Sequence, residues 1–297
     1  MKMPSMSLLD WQKRFGNEES CLNELIRVRW PDGFICPVCA CREYSFVTSR
    51  HVYQCSNCHR QTSATAGTIF HSTNLPLIKW FWAIYLCASD KGGISALRLS
   101  KQIGVSWITA HRILHKLRTV MVHRDSIYRL KQLIEVDDAY VGGKKPGKRG
   151  RGAAGKTPIL VAVEHHGKHA GFMAAEIMKN INKEHIHAFL LRHLKDGQKV
   201  RTDAFPALNA VAEAHEHQKK ITPPAEASAW LPLVHIVIGN LKTFLNGTFH
   251  GVSGKFLPGY LAEFSYRFNR RFWEHELPMR LLNASLAHVP VQSLKIV

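Results

Sequence analysis

The sequence predicts an α+β chain of several domains: a small metal-binding ribbon, a helical middle, and a mixed sheet flanked by helices. Two Cys-x-x-Cys pairs lie 15 residues apart near the N-terminus. Further on, two apolar runs separated by a helical pattern each lead into aspartate. The net charge is +18 over 297 residues, and residues 1–130 and 131–297 share that excess equally. Basicity spread over a whole fold implies a polyanionic partner, nucleic acid before membrane.

Residues 1–30 read as N-terminal helices. Ser7 or Asp10 caps a run with Leu8, Leu9, Trp11 and Phe15, and a second helix spans Glu18 to Val28. Residues 31–63 carry Cys36-Pro-Val-Cys39 and Cys55-Ser-Asn-Cys58. Each knuckle aims two thiolates at one point, and two knuckles complete a tetrahedron around a structural Zn²⁺ with no open position for catalysis. Arg42 to Gln54 alternates as a hairpin between them. Cys41 competes with Cys39 as a ligand, His51 and His59 are read as surface or phosphate-contacting residues, and Cys21 and Cys87 as buried thiols.

Residues 74–126 are helical. Leu75–Ala88 is an apolar core helix. A shorter helix turning Ile94, Leu97 and Ile103 inward stops at Gly104, and Ser106 caps another from Trp107 to Val120 with Ile108, Ile113, Leu114 and Leu117 inward. Its other face shows Thr109, His111, Arg112, His115, Lys116 and Arg118. Helix, glycine turn and basic helix form a helix-turn-helix pattern for double-stranded DNA, although an ordinary helical hairpin reads similarly.

Residues 130–275 open with a strand, Leu133–Val136, that ends in Asp137 and Asp138. Adjacent carboxylates repel, and a divalent cation is the usual compensation. A glycine-rich loop to Lys156 carries Lys144, Lys145, Lys148, Arg149 and Arg151, a clamp for a DNA backbone. Strands at Pro158–Glu164 and His169–Met178, a helix at Asn182–Leu194 and a strand from Gln198 into Asp203 follow. Three strands, a helix and a strand, with the first and last leading into Asp, is the ribonuclease-H-like layout, which brings two aspartates to a shared metal.

Such sites take a third ligand from a later helix, yet Leu231–Leu245 contains no acid. His235 and Lys242 are seven residues apart, about 20° short of two turns, and share a face. Asn240 lies about 140° round from His235. Either His235 or Asn240 is the third ligand, and imidazole suits Mn²⁺ better than Mg²⁺. Lys255–Phe272 is a helix with Phe256, Leu257, Tyr260, Leu261, Phe264 and Phe268 as its core stripe. Glu263 is structural, and Arg267, Asn269, Arg270 and Arg271 offer a basic edge for phosphates. Residues 276–297 are a C-terminal tail.

No run reaches 18 apolar residues and no signal-peptide pattern opens the chain, so no membrane association is expected. Cysteine usage implies a reducing compartment, hence a cytoplasmic, nucleoid-associated protein.

With these motifs in place, the chain resembles the ISXO-like insertion-sequence transposases over roughly residues 15–275. The resemblance rests on the two cysteine knuckles, on Ile134–Gly143 (IEVDDAYVGG), on Arg201-Thr202-Asp203, and most specifically on His235–Arg271. It implies a zinc-ribbon N-terminus and a DDE-type catalytic domain in which Asp137 and Asp203 hold catalytic Mg²⁺ or Mn²⁺. It implies two-metal phosphoryl transfer on terminal inverted repeats and target DNA, in a homo-oligomeric assembly. The family's third acid, Glu, is replaced here. A DNA-binding regulator with an inactive nuclease-like domain is the alternative.

Overall fold

The computed structural model describes residues 3–142, 156–221, 223 and 226–287. They form two compact units, one drawn from residues 1–90, 96–120 and 273–297, the other from 91–95 and 121–272.

The first unit begins with α1 (Leu8–Arg14) and α2 (Glu18–Arg29). Ser7 and Asn17 close a capping box at each start. The ribbon follows as an antiparallel sheet of β1 (Tyr44–Val47), β2 (Val52–Cys55) and β3 (Gln61–Ser63). Next come α3 (Leu77–Ser89), α4 (Ala96–Ile103) and α5 (Trp107–Asp125). The C-terminal α10 (Leu277–Ala287) packs on α2 and α3. An aromatic cluster of Trp11, Phe15, Phe81 and Tyr85 ties α1 to α3. Leu97 and Ile108, expected inward, are each 56% exposed. Leu99 and Ala110 are buried instead, while Ile94, Ile113, Leu114 and Leu117 are buried as expected and Ile103 is half-buried.

The second unit is a five-stranded sheet with both faces covered. Its strands are β4 (Leu133–Val141), β5 (Thr157–His166), β6 (His169–Ile177), β7 (Lys199–Asp203) and β8 (Glu216–Lys220). Their order is β6-β5-β4-β7-β8. The first three form an antiparallel meander, and β4, β7 and β8 run parallel. This is the ribonuclease-H-like arrangement. α6 (Lys183–His193) supplies the crossover between β6 and β7, as a parallel connection requires. Ile134, Val136, Leu160, Ala162 and Val200 pack with Ile186, Phe189 and Leu190 of α6 in one core layer. Ala139, Val141, Ile159, Val161 and Val163 pack in the other with α8 (Pro232–Gly247) and α9 (Leu257–Phe268), which follow a short α7 (Ala227–Trp230).

β4 does not stop at Val136. β5 offers partners along its whole length, from Ile134↔Glu164 to Val141↔Thr157, so Asp137 and Asp138 lie within the strand. Four of these elements have no counterpart in the sequence reading: β3, β8, the short α7, and α10, which lies in the expected C-terminal tail. β8 is an edge strand without apolar alternation, and β3 is three residues long. Phe256 precedes α9 and is exposed, so the core stripe begins at Leu257.

The expected basic edge at the end of α9 is corrected. Arg267 pairs with the fully buried Glu263 at 2.9 Å, and Arg270 with Asp125 at 2.8 Å. Asn269 is spent on β6: its Oδ1 accepts the Met173 N–H at 2.8 Å and its Nδ2 donates to the Met173 carbonyl at 3.1 Å. Arg271 donates to the carbonyls of Ala170, Gly171 and Phe268. These groups satisfy the fold and are not presented to a ligand.

Candidate metal centre and nucleic-acid residues

In the ribbon, the Sγ atoms of Cys36, Cys39, Cys55 and Cys58 lie within 4.8 Å of one another. The Cys36–Cys58 and Cys39–Cys55 separations are both 3.5 Å. A tetrahedral ion with Zn–S bonds of about 2.3 Å needs sulfurs about 3.8 Å apart, so the four fit structural zinc. Both knuckles turn alike. The amide of Ala40 donates to Cys36 O and that of His59 to Cys55 O, and both residues take positive φ, 57° and 56°. Backbone amides at the turns hold the Cys36, Cys39 and Cys55 thiols below their ordinary pKa. Cys41 stays outside the cluster, its Sγ directed to Glu43 O.

On β4, side chains alternate between faces. Ile134 and Val136 enter the α6 layer, while Ala139 and Val141 enter the α8 layer. Glu135 and Asp137 therefore point toward α8, and Asp138 lies on the opposite face. β7 pairs with β4 in parallel, Ile134↔Val200 and Glu135↔Arg201. That pairing ends at Glu135↔Arg201, and Asp137 and Asp203 each lie two residues beyond it, on the same face by strand alternation. Asp203 Oδ1 accepts the Phe205 amide at 3.1 Å.

α8 completes the grouping. His235 Nε2 lies 3.0 Å from Asp137 Oδ2. Asp137, His235, Lys242, Lys156 and Gly239 line one open cleft of about 460 Å³. The Asp137 hydrogen bond raises the His235 pKa above its ordinary value; burial opposes this, and the charges of Asp137, Glu135 and Asp203 add to it. Asn240 is exposed on another face of α8 and is not among the residues lining the cleft. Among the described residues, only the four cysteines bring three ligand atoms within 4.8 Å, so Asp203 stands outside the close Asp137–His235 pair. The donor chemistry suits an oxygen-seeking divalent ion. Adjacent ligands of an octahedral site with bonds of about 2.1 Å lie about 3.0 Å apart, the separation of this pair.

Glu135 is the site residue the sequence reading missed. It is fully buried. Its Oε2 accepts the amides of Leu233 and Val234, both at 2.9 Å, and its Oε1 lies 2.6 Å from His165 Nδ1. The available signal was its two-residue offset from Asp137 on one strand face.

The predicted DNA-reading face of α5 is narrower than expected. Arg112 is exposed and Thr109 half-exposed, with its hydroxyl 2.9 Å from Ser106 Oγ. Lys116 donates to Ile69 O at 2.7 Å and sits over the Trp80 ring, and burial lowers its pKa. Arg118 is 4% exposed and cannot present its guanidinium to DNA in this structure. Ala110, Ile113, Leu114, Leu117, Val120 and Met121 are buried as well, leaving little of the circumference for a basic face. Lys144, Lys145, Lys148, Arg149 and Arg151 lie outside the described residues.

Residues 129–269 match the ISXO2-like transposase domain, and residues 16–61 match a transposase zinc-ribbon domain. The chain is 27% identical over 220 residues to an uncharacterized protein in transposable element ISH50 of Halobacterium salinarum, covering 68% of this chain and 72% of that one. A pre-cleavage Mos1 transpososome aligns at 12% identity over 71% of this chain and 79% of that chain, with a TM-score of 0.28. A Mos1 mariner paired-end complex with Mn aligns at 11% identity over 69% and 77%, with a TM-score of 0.27. These structural likenesses are slight, and the fold is assigned from strand order and direction instead.

Proposed function

This chain belongs to the ISXO2-like transposase family, and from that premise we propose that it binds the terminal inverted repeats of its element and cleaves and joins DNA at a divalent-metal site. The observation that carries the proposal is the 3.0 Å approach of His235 to Asp137, in a cleft that also presents Lys242. Asp137, Asp203 and His235 would hold Mg²⁺ or Mn²⁺, with His235 in the place of the family's acid. Bound metal would supply the charge that activates an attacking hydroxyl and stabilises a leaving oxygen. The carboxylates orient that charge, and Lys242 contacts a DNA phosphate from nearly two turns further along α8. The ribbon's zinc is structural. Arg112 and Thr109 are the remaining candidates for reading end DNA from α5. Transfer joins two ends, so a homo-oligomer on DNA is part of the proposal, as is a cytoplasmic, nucleoid-associated setting. No described helix is long and apolar enough to cross a membrane.

The test is cleavage of repeat-end DNA in Mg²⁺ and in Mn²⁺. Asp137→Asn should bind the DNA as wild type does and lose at least about a thousandfold in cleavage, since several kcal/mol of charge stabilisation is removed. The lack of any acid in α8 favours one other reading, a DNA-binding regulator with an inactive nuclease-like domain. Equal inertness of wild type and Asp137→Asn in both metals would establish it.

A further inference from the structure

α8 begins without a cap of its own. Leu231 occupies the capping position with no side-chain bond, Pro232 follows, and the first turn holds no acid. Helix starts leave amides unsatisfied, and a buried start needs an acceptor. Here the acceptor comes from about a hundred residues away. Glu135 Oε2 takes both the Leu233 and the Val234 amides, while His165 holds the other oxygen.

The next residue after Val234 is His235. Two residues after Glu135, on the same strand face, is Asp137. One strand thus carries both the anchor for the helix start and the partner of the helix's histidine. We propose that Glu135 is a positioning residue, locking the first turn of α8 to β4 so that His235 meets Asp137 as a metal-binding pair. This rests on reading Asp137 and His235 as ligands. Glu135 itself is no ligand: it is fully buried, and both its oxygens are engaged. A charge at a helix start also stabilises that helix, but that role alone would not demand this register with Asp137. Loss of a group that orients a metal ligand typically costs about 10–100-fold in metal affinity, so a slackened α8 start should be visible in Mn²⁺ binding.

The experiment is titration of the full chain with Mn²⁺ in the absence of DNA, well below the melting temperature of each variant. His235→Ala should weaken binding about tenfold or more. Glu135→Ala should weaken it by a similar factor. Glu135→Asp keeps the charge but withdraws it about 1.5 Å from the two amides, so it should also bind more weakly and serves if the alanine variant does not fold. Glu135→Gln keeps an acceptor for the amides and should remain within about threefold of wild type. Wild-type affinity in the Ala and Asp variants, with His235→Ala weakened, would overturn the positioning role alone. Wild-type affinity in His235→Ala would overturn the ligand reading, and the positioning role with it.

Discussion

A single buried amide, Asn269, closes part of the outer edge of the central sheet. β6 pairs only with β5, and an open edge exposes backbone groups that invite another strand. Asn269 answers the amide and the carbonyl of Met173 together, as a neighbouring strand would. Asn269→Ala should therefore orphan two backbone groups and destabilise the protein by about 2–3 kcal/mol, read as a shift in urea midpoint without a change in slope. Asn269→Asp keeps only the acceptor and should fall short of wild type as well. Sequence could not disclose this role. Asn269 stands among arginines that read as a phosphate-binding edge, and only burial shows that they are engaged internally. Glu135 was hidden for a related reason, since its partners Leu233 and Val234 are 98 and 99 residues away.

At the level of elements, the ribbon was the most legible part of the chain. Its ligands are paired at local spacing, and a Cys-x-x-Cys turn determines its own geometry. The structure adds an aromatic support, in which Phe34 stacks on Tyr53 and Trp30, Tyr44 and Phe46 meet that pair edge to face. Cys58→Ser should lose zinc and the order of the ribbon together, because metal binding is coupled to folding in such small elements. Cys41→Ser should keep one zinc per chain by metal analysis, since Cys41 lies outside the four-sulfur cluster. Loss of zinc from Cys41→Ser would show that Cys41 exchanges with Cys39. The order of β4 through β7 was also legible, because alternating and continuous apolar runs are strong signals. β8 was not: Glu-His-Gln-Lys-Lys has no apolar face, and its position is set by pairing with β7. α5 was found with Ile113, Leu114 and Leu117 inward as expected, but its buried surface extends further round the helix. Burial on more than one side leaves Arg112 outward and draws Lys116 and Arg118 in.

Across the whole molecule, charge and site chemistry point the same way. A chain with 40 basic and 22 acidic residues suits a polyanion, and the second unit presents lysines beside a carboxylate pair. Asp137 and Asp203 stood out in the sequence because each ends an apolar run in the strand order of a ribonuclease-H-like sheet. For the third position the sequence left both His235 and Asn240 open. Helical periodicity separated His235 from Asn240 but could not say which face of α8 meets the sheet. Packing settles the facing of the helix: Leu233, Val234, Val237, Leu241 and Phe244 go into the core, His235 reaches Asp137, and Asn240 is left exposed. The direct measurement is Mn²⁺-dependent cleavage of repeat-end DNA by His235→Ala and Asn240→Ala, compared with wild type. His235→Ala is predicted to lose about a hundredfold or more while Asn240→Ala stays within about threefold. Retained cleavage in His235→Ala, with loss in Asn240→Ala, would contradict a metal centre built on Asp137 and His235.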